Sequence, residues 1–266
     1  MVSLSPTRPR ILLGLDVETS DWDEHCSFSK QDEHFDTGFP CHRDHTRAVG
    51  HICAVGYSIF RQIASVPHLY TADENVSVVI KLPDGETISK QATCVHGITD
   101  QASQQGQHLD TVVRSVVALL KQGAEICSHN LAHETLVWCR ELQKRNSIDP
   151  PMLSEEDTSL FLQSLYEGYC TLRQGKQRNG FFRKLTDEFA LCCWDELQPD
   201  KRPDAGQAAH MCACLFLHYT GASYVKYSAR DIGNAGATAT TDCELEQCTF
   251  KKAKASVAVV STDKSG

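Results

Sequence analysis

The stretch "RILLGLDVET" at residues 10–19 decides the fold. It is a short, continuous apolar run that ends in two acidic residues, Asp16 and Glu18. Such a run is typical of a strand buried on both faces in the middle of a sheet. Because side chains alternate along a strand, the two carboxylates should lie on the same face. The sequence therefore predicts a central strand with functional groups at its C-terminal end.

A second acidic corner is predicted where a short apolar strand (124–128) meets a helical pattern (133–145). The connecting stretch "HNLAHE" at 129–134 carries polar side chains that are costly to bury without partners. We expect Glu134 to face Asp16 and Glu18 with metal ions between them. Neighbouring carboxylates repel each other unless a cation lies between them. Carboxylate oxygens are the ligands that Mg²⁺ and Mn²⁺ prefer. The alternative is a chance D-x-E pair at a strand end without any ligand.

The remaining pattern predicts a mixed α/β sheet. Strands are predicted at 49–60 and 76–82, and less sharply at 165–172, and helices at 108–123, 181–193 and 204–219. Three strands in near succession indicate an antiparallel meander, and helices alternate with strands after it. We therefore expect five strands with helices on both faces.

The chain is expected to form one domain over residues 1–228, with a polar insert at 20–48 and a disordered tail at 229–266 rich in Ala, Thr, Lys and Ser. Thirteen scattered cysteines fit reduced thiols in the cytoplasm or nucleus better than a disulfide framework. No apolar run is long enough to span a bilayer, and no signal-peptide cleavage site is evident. A membrane partner is therefore not expected.

The formal net charge of −8 argues against a protein that holds nucleic acid through a broad basic surface. It does not exclude a nuclease, because metal ions can supply the positive charge that faces a few phosphates.

Five segments, in order, resemble the DEDD superfamily of 3′–5′ exonucleases. They are "LDVETSD" (15–21), "CVHGITDQ" (94–101), "AEICSHNLAHETLVWCREL" (124–142), "YCTLRQ" with "KLTDEFALCC" (169–174, 184–193) and "RPDAGQAAHMCACLF" (202–216). The resemblance implies a ribonuclease H-like fold and two-metal hydrolysis of phosphodiesters at the 3′ ends of single-stranded DNA or RNA. It assigns Asp16, Glu18 and Glu134 to the metal ions, Mg²⁺ or Mn²⁺.

The resemblance also assigns supporting roles. Thr19 and Ser20 fall where the family contacts the terminal nucleotide, and His129 and Asn130 fall where they would brace the second corner. His96 lies in the H-G-I-T segment, where it could reach substrate or shape a turn. Trp22 could stack on a base or pack within its loop.

The third motif departs from the family pattern. Pro203 stands where the family has a general-base His, and Ala208 where it has its last Asp. Asp204, one turn before Ala208, could supply a substitute catalytic carboxylate, or it could only favour the helix dipole. The function expected is therefore a 3′–5′ exonuclease, with either intact or impaired activity.

Other functions stay open on the sequence. One is a catalytically inactive module of the same fold that binds nucleic acid or a protein; another is a plain ribonuclease H-type or integrase-type endonuclease. The insert also contains possible zinc ligands, although their spacing matches no compact zinc motif: Cys26, His34, Cys41, His42 and His45. The sequence predicts no oligomeric state.

Overall fold

The computed structural model describes residues 9–21, 50–147, 151–193 and 203–226. Within those ranges the strands form one six-stranded sheet of order β5-β4-β1-β2-β3-β6. The strands are β1 (Ile11–Thr19), β2 (Ile52–Ile63), β3 (Val66–Val79), β4 (Ala124–Ser128), β5 (Tyr169–Cys170) and β6 (Ser223–Lys226). Strand β1 pairs antiparallel with β2 and parallel with β4, so the predicted mixed sheet and the predicted inner position of β1 are confirmed.

Eight helices accompany the sheet in the described part of the chain. They are α1 (Lys90–His96), α2 (Asp100–Gln104), α3 (Leu109–Lys121), α4 (Leu131–Asn146), α5 (Glu155–Tyr166), α6 (Thr171–Asn179), α7 (Leu185–Cys192) and α8 (Ala205–Thr220). The predictions of α3, α4 and α8 are confirmed, because these helices occupy nearly the predicted ranges 108–123, 133–145 and 204–219. Each of these helices buries an apolar stripe of helical period.

The sheet separates two apolar cores. On one face, the odd-numbered residues Leu13, Leu15 and Val17 of β1 pack with helices α3, α4 and α5. On the other face, Leu12 packs with α7 and α8. The helices thus cover both faces, as the sequence predicted.

Helix α8 lies unusually close to the sheet. A Cβ atom at Gly56 would overlap the carbonyl group of Ala205, and one at Gly14 would overlap the carbonyl oxygen of Ala209. A Cβ at Gly206 would come within 2.7 Å of the Val76 carbonyl oxygen. The missing side chains therefore let the helix backbone rest directly on β1, β2 and β3.

Several expectations need correction. The sheet has six strands instead of five, because β6 adds to β3 in parallel over only four residues, too few for a periodic pattern. Strand β3 begins at Val66, ten residues before the predicted start, because its polar first half extends the hairpin with β2. Four helices were not predicted: α1, α2, α5 and α6.

Some predictions fall outside the described ranges. These are the position of Trp22, nearly all of the insert with its possible zinc ligands, and the tail from residue 229. No helix in the described ranges is long and apolar enough to cross a bilayer.

Candidate functional site

The C-terminal half of β1 extends beyond its neighbour β4. The parallel pairing of these strands joins Ile11–Gly14 to Ala124–Cys127 and stops there, whereas β1 continues to Thr19. Leu12 and Gly14 both contact α8, so the alternation of the strand directs Asp16 and Glu18 toward the same side of the sheet. The two carboxylates therefore lie past the end of β4, on the α8 face.

Helix α4 brings the third carboxylate to this place. Asn130 precedes the helix in the left-handed conformation (φ 68°), which turns the chain sharply after β4. Glu134 follows in the first helical turn and is only 3% exposed. Its carboxylate accepts a hydrogen bond from the backbone N–H of Val17 in β1. Its second oxygen, Oε2, is buried without a hydrogen-bond partner among the described residues.

The three carboxyl groups are electrostatically linked. Burial, then the charge of Asp16 and then that of Glu18, raise the pKa of Glu134 well above its usual range. Burial, followed by the charges of Glu18 and Asp204, does the same to the pKa of Asp16. Burial and like charge both disfavour the ionised form, so this corner favours protons or cations.

Asp204 lies near Asp16 and caps the N-terminus of α8. Gly56, the cross-strand partner of Asp16, is the residue on which the start of α8 rests, and Asp204 immediately precedes that helix. Its Oδ1 accepts the Gln207 backbone N–H at 2.8 Å, and the Gln207 side chain accepts the Asp204 N–H. This reciprocal pair is a capping box. Asp204 is thus the N-cap residue of α8, with extended backbone, and this agrees with the alternative interpretation that it favours the start of the helix.

The carboxyl groups of Asp16, Glu18 and Glu134 are not arranged as a complete metal-binding site. Within the ranges that the structure describes, no group of three or more His, Cys, Asp or Glu side chains is placed so that it could hold a metal ion. Ala208 is buried at 7% exposure and Pro203 is half-buried, and neither side chain carries a metal ligand.

Thr19, Ser20 and His96 connect the end of β1 to its surroundings. Ser20 is 3% exposed, and its hydroxyl accepts the backbone N–H of His51 at 2.9 Å. The His96 ring donates from Nε2 to the Thr19 carbonyl oxygen at 3.1 Å, while its Nδ1 accepts the Ile98 N–H. Ser20 and His96 therefore fix the backbone beside Glu18, which is the turn-shaping alternative considered for His96.

His129 and Asn130 form the turn that carries Glu134. The Nδ1 atom of His129 is 3.0 Å from the Thr171 hydroxyl oxygen. Its Nε2–H donates a hydrogen bond to the Arg183 carbonyl oxygen at 3.0 Å. Burial lowers the pKa of His129 to about 4, although the bond to Arg183 opposes this. The ring is thus a neutral link between the second corner and α6–α7.

A buried ionic cluster beside the site was not predicted. Glu141, 2% exposed, lies two turns after Glu134 on α4. Its Oε2 is 3.1 Å from His51 Nδ1, and its Oε1 accepts from Arg145 Nε at 2.6 Å. Burial alone would raise the pKa of Glu141, but the bonds from His51 and Arg145 outweigh it and lower the pKa. The spacing of 134, 138, 141 and 145 along one helical stripe was the available signal in the sequence.

Comparison with known proteins gives little similarity. No family model matches the chain, and no curated protein matches it. Among solved structures, a full-length 3′-exonuclease is similar at a TM-score of 0.31 and 9% identity, over 68% of this chain. This chain spans about 65% of that protein's length. Similarity at this level assigns no activity to the chain.

Proposed function

We propose that this chain is a metal-dependent 3′–5′ exonuclease of ribonuclease H-like fold, acting on single-stranded DNA or RNA. The observation that carries the proposal is that half-buried Asp16 and Glu18 of β1 lie close to buried Glu134 of α4 at the end of an inner strand. Asp16 and Glu18 each contribute to the raised pKa of Glu134. Burying like charges together is costly, and a structural role alone would be served better by apolar side chains.

The donor chemistry of this corner fits Mg²⁺ or Mn²⁺. Asp16, Glu18 and Glu134 offer only carboxylate oxygens, which are hard ligands, and the unpartnered Oε2 of Glu134 could accept a cation. When bound, such an ion would neutralise the carboxylates and stabilise the charge that develops on the phosphate. Small side-chain rotations would have to complete the ligand set.

Other residues of the corner would contact the substrate, but the third motif lacks two groups that the family uses. The backbone N–H and carbonyl of buried Ser20 are bonded to His51 and Ser89, so Ser20 would brace the corner, and half-buried Thr19 would face the terminal nucleotide. Pro203 cannot act as the general base that a His supplies at this position in the family, and Ala208 cannot hold a second ion. Since each such group contributes on the order of 10²-fold or more, we expect cleavage several orders of magnitude slower than in an intact site.

Labelled single strands test the proposal directly. A 5′-labelled DNA or RNA strand incubated with the protein and Mn²⁺ should give a ladder that shortens from the 3′ end. Asp16→Asn and Glu134→Gln should abolish the ladder, whereas Asp110→Asn, in the first turn of α3, should not. Equal cleavage by all four proteins would identify a contaminating nuclease and overturn the proposal.

The second candidate is a catalytically inactive module that binds nucleic acid or a protein. The capping box of Asp204 and the residues at 203 and 208 favour it, because they leave the third corner without a committed carboxylate. Calorimetric titration with Mn²⁺ separates the two candidates. Heat of binding that disappears in Asp16→Asn supports the enzyme, and its absence in the unaltered protein supports the module.

A further inference from the structure

Positive charge is concentrated in one short part of this acidic chain. Residues 173–184, which we call the basic segment, contain five of the 26 Lys and Arg residues: Arg173, Lys176, Arg178, Arg183 and Lys184. No acidic residue occurs between Glu167 and Asp187. The segment comprises most of α6 and the turn that leads to α7. A local charge of this sign in a chain of net charge −8 indicates a polyanionic partner.

Two adjacent aromatic residues, Phe181 and Phe182, lie among these cations. Gly180 ends α6 with φ 79°, and the chain then presents Phe181 to solvent at 53% exposure. The Arg183 guanidinium lies 4.4 Å from the centre of the Phe181 ring. The Lys176 ammonium lies 4.6 Å from the centre of the neighbouring Phe182 ring. An exposed ring with a planar cation beside it is a platform on which a nucleic-acid base can stack.

The segment is held in place by buried bonds. Glu188 of α7, 2% exposed, accepts a hydrogen bond from the Tyr219 hydroxyl and one from Asn179 Nδ2 at 2.8 Å. Arg178 donates to the Tyr219 carbonyl oxygen at 2.8 Å and lies over the Tyr219 ring. The turn after α6 is therefore anchored to α8, so its exposed ring is presented by a fixed scaffold.

The same segment is bonded to the carboxylate corner. The Arg183 carbonyl oxygen accepts the His129 Nε2–H at 3.0 Å. His129 immediately precedes Asn130, the residue from which α4 and Glu134 begin. The basic surface therefore begins next to the corner where Glu134 meets β1.

We propose that the basic segment is a binding surface for single-stranded nucleic acid, with phosphates on Lys176, Arg178 and Lys184 and a base on Phe181. An acidic peptide would use the cations equally well but would leave the exposed aromatic ring without a function. The direction in which the bound nucleic acid runs, with its 3′ end toward Glu134, rests on the proposed nuclease function. Binding by the segment does not.

Binding is measured without turnover. Fluorescein-labelled dT15 and rU15 are titrated in EDTA, and anisotropy gives Kd at several salt concentrations. Phe181→Ala should weaken binding roughly tenfold, the usual cost of one lost stacking platform. The double variant Lys176→Gln/Lys184→Gln should reduce the slope of log K against log salt by about 1.4, since each phosphate contact contributes about 0.7.

Matched variants on the other side of the sheet serve as controls. Tyr166→Ala removes an aromatic ring of similar exposure (55%) at the end of α5, and Lys144→Gln removes an exposed lysine of α4. Both should bind as the unaltered protein does. Equal weakening by controls and segment variants, no binding by the unaltered protein, or tighter binding of poly-glutamate or anionic phosphatidylserine vesicles would overturn the proposal.

The two proposals fail separately. Asp16→Asn should bind both strands as tightly as the unaltered protein in EDTA, because it leaves the basic segment intact. Binding without any 3′ ladder would remove the nuclease function and keep the surface. A 3′ ladder whose rate and KM are unchanged in Phe181→Ala and in the double lysine variant would remove the surface and keep the nuclease.

Discussion

At the scale of single residues, α4 carries two buried glutamates with opposite electrostatics. The pKa of Glu134 is raised by burial and by neighbouring carboxylates, whereas that of Glu141 is lowered because the bonds from His51 and Arg145 outweigh its burial. The folded protein therefore favours protonated Glu134 and ionised Glu141. Ionised Glu134 therefore reduces the stability of the fold, whereas ionised Glu141 contributes to it.

Glutamine variants should separate the two. A raised pKa means that the contribution of Glu134 to stability is full below its unfolded pKa of about 4.5 and is lost as the pH rises through the folded pKa. Glu134→Gln should therefore stabilise the protein at pH 8 in EDTA and gain less at pH 4.5. Glu141→Gln should destabilise it at pH 8, and its effect should diminish as the pH falls through the lowered folded pKa.

Urea unfolding at pH 8 and pH 4.5 measures the effect of Glu134→Gln, and a further series at a pH below the lowered pKa of Glu141 measures the loss of the Glu141 contribution. Added Mn²⁺ should narrow the gap between Glu134→Gln and the unaltered protein, because a cation would offset the same repulsion. Destabilisation by Glu134→Gln at pH 8 would contradict a site of mutually repelling carboxylates.

At the scale of elements, the first turn of α8 serves the fold and lies against the site. Asp204 caps the helix and also raises the pKa of Asp16. Asp204→Ala should lose about 1 kcal/mol of stability with the cap, whereas Asp204→Asn should keep it, because asparagine caps equally well. We expect Asp204→Asn to leave 3′ cleavage unchanged. A stable Asp204→Asn protein without activity would instead give this carboxylate the role missing at Ala208.

The close packing of α8 on the sheet predicts that a side chain at Gly56 is costly. Gly56→Ala should cost about 3 kcal/mol, because its Cβ would overlap the Ala205 carbonyl and force the helix away from the sheet. Gly123→Ala is the matched control. Its Cβ would meet no atom within 4 Å, so it should lose only about 1 kcal/mol from its left-handed φ of 89°. Thermal and urea unfolding compare the two, and equal losses would show that the helix can shift at little cost.

At the scale of the whole molecule, the sequence predicted the elements that carry strong periodicity. Strand β4 and helices α3, α4 and α8 were predicted close to their bounds because apolar residues recur along them at the spacing of strand or helix. The juxtaposition of β1 and α4 was expected from the order of the acidic segments, and the electrostatic link between Asp16 and Glu134 agrees with it.

Other features depend on contacts between distant residues and could not be predicted. His51 and Glu141 are 90 residues apart, and nothing local to either one indicates the other. The cap formed by Asp204 depends on the extended backbone of one residue, and an apolar periodicity does not report the conformation of single residues. Strand β6 exists because β3 offers it an edge, and its own four residues carry no pattern.

The boundary of the domain is the remaining prediction at this scale, and β6 makes it testable. Tyr224 and Val225 are 1% and 2% exposed, and the Tyr224 ring packs edge-on against Phe60 at 5.1 Å between ring centres. A chain ending at residue 221 should lose about 3–6 kcal/mol, because each buried side chain of this size contributes about 1.5–3 kcal/mol. A chain ending at residue 228 retains β6 and should unfold at the same urea concentration as the full chain. If both shortened chains lost stability equally, residues 229–266 would belong to the fold, and the predicted domain boundary would be wrong.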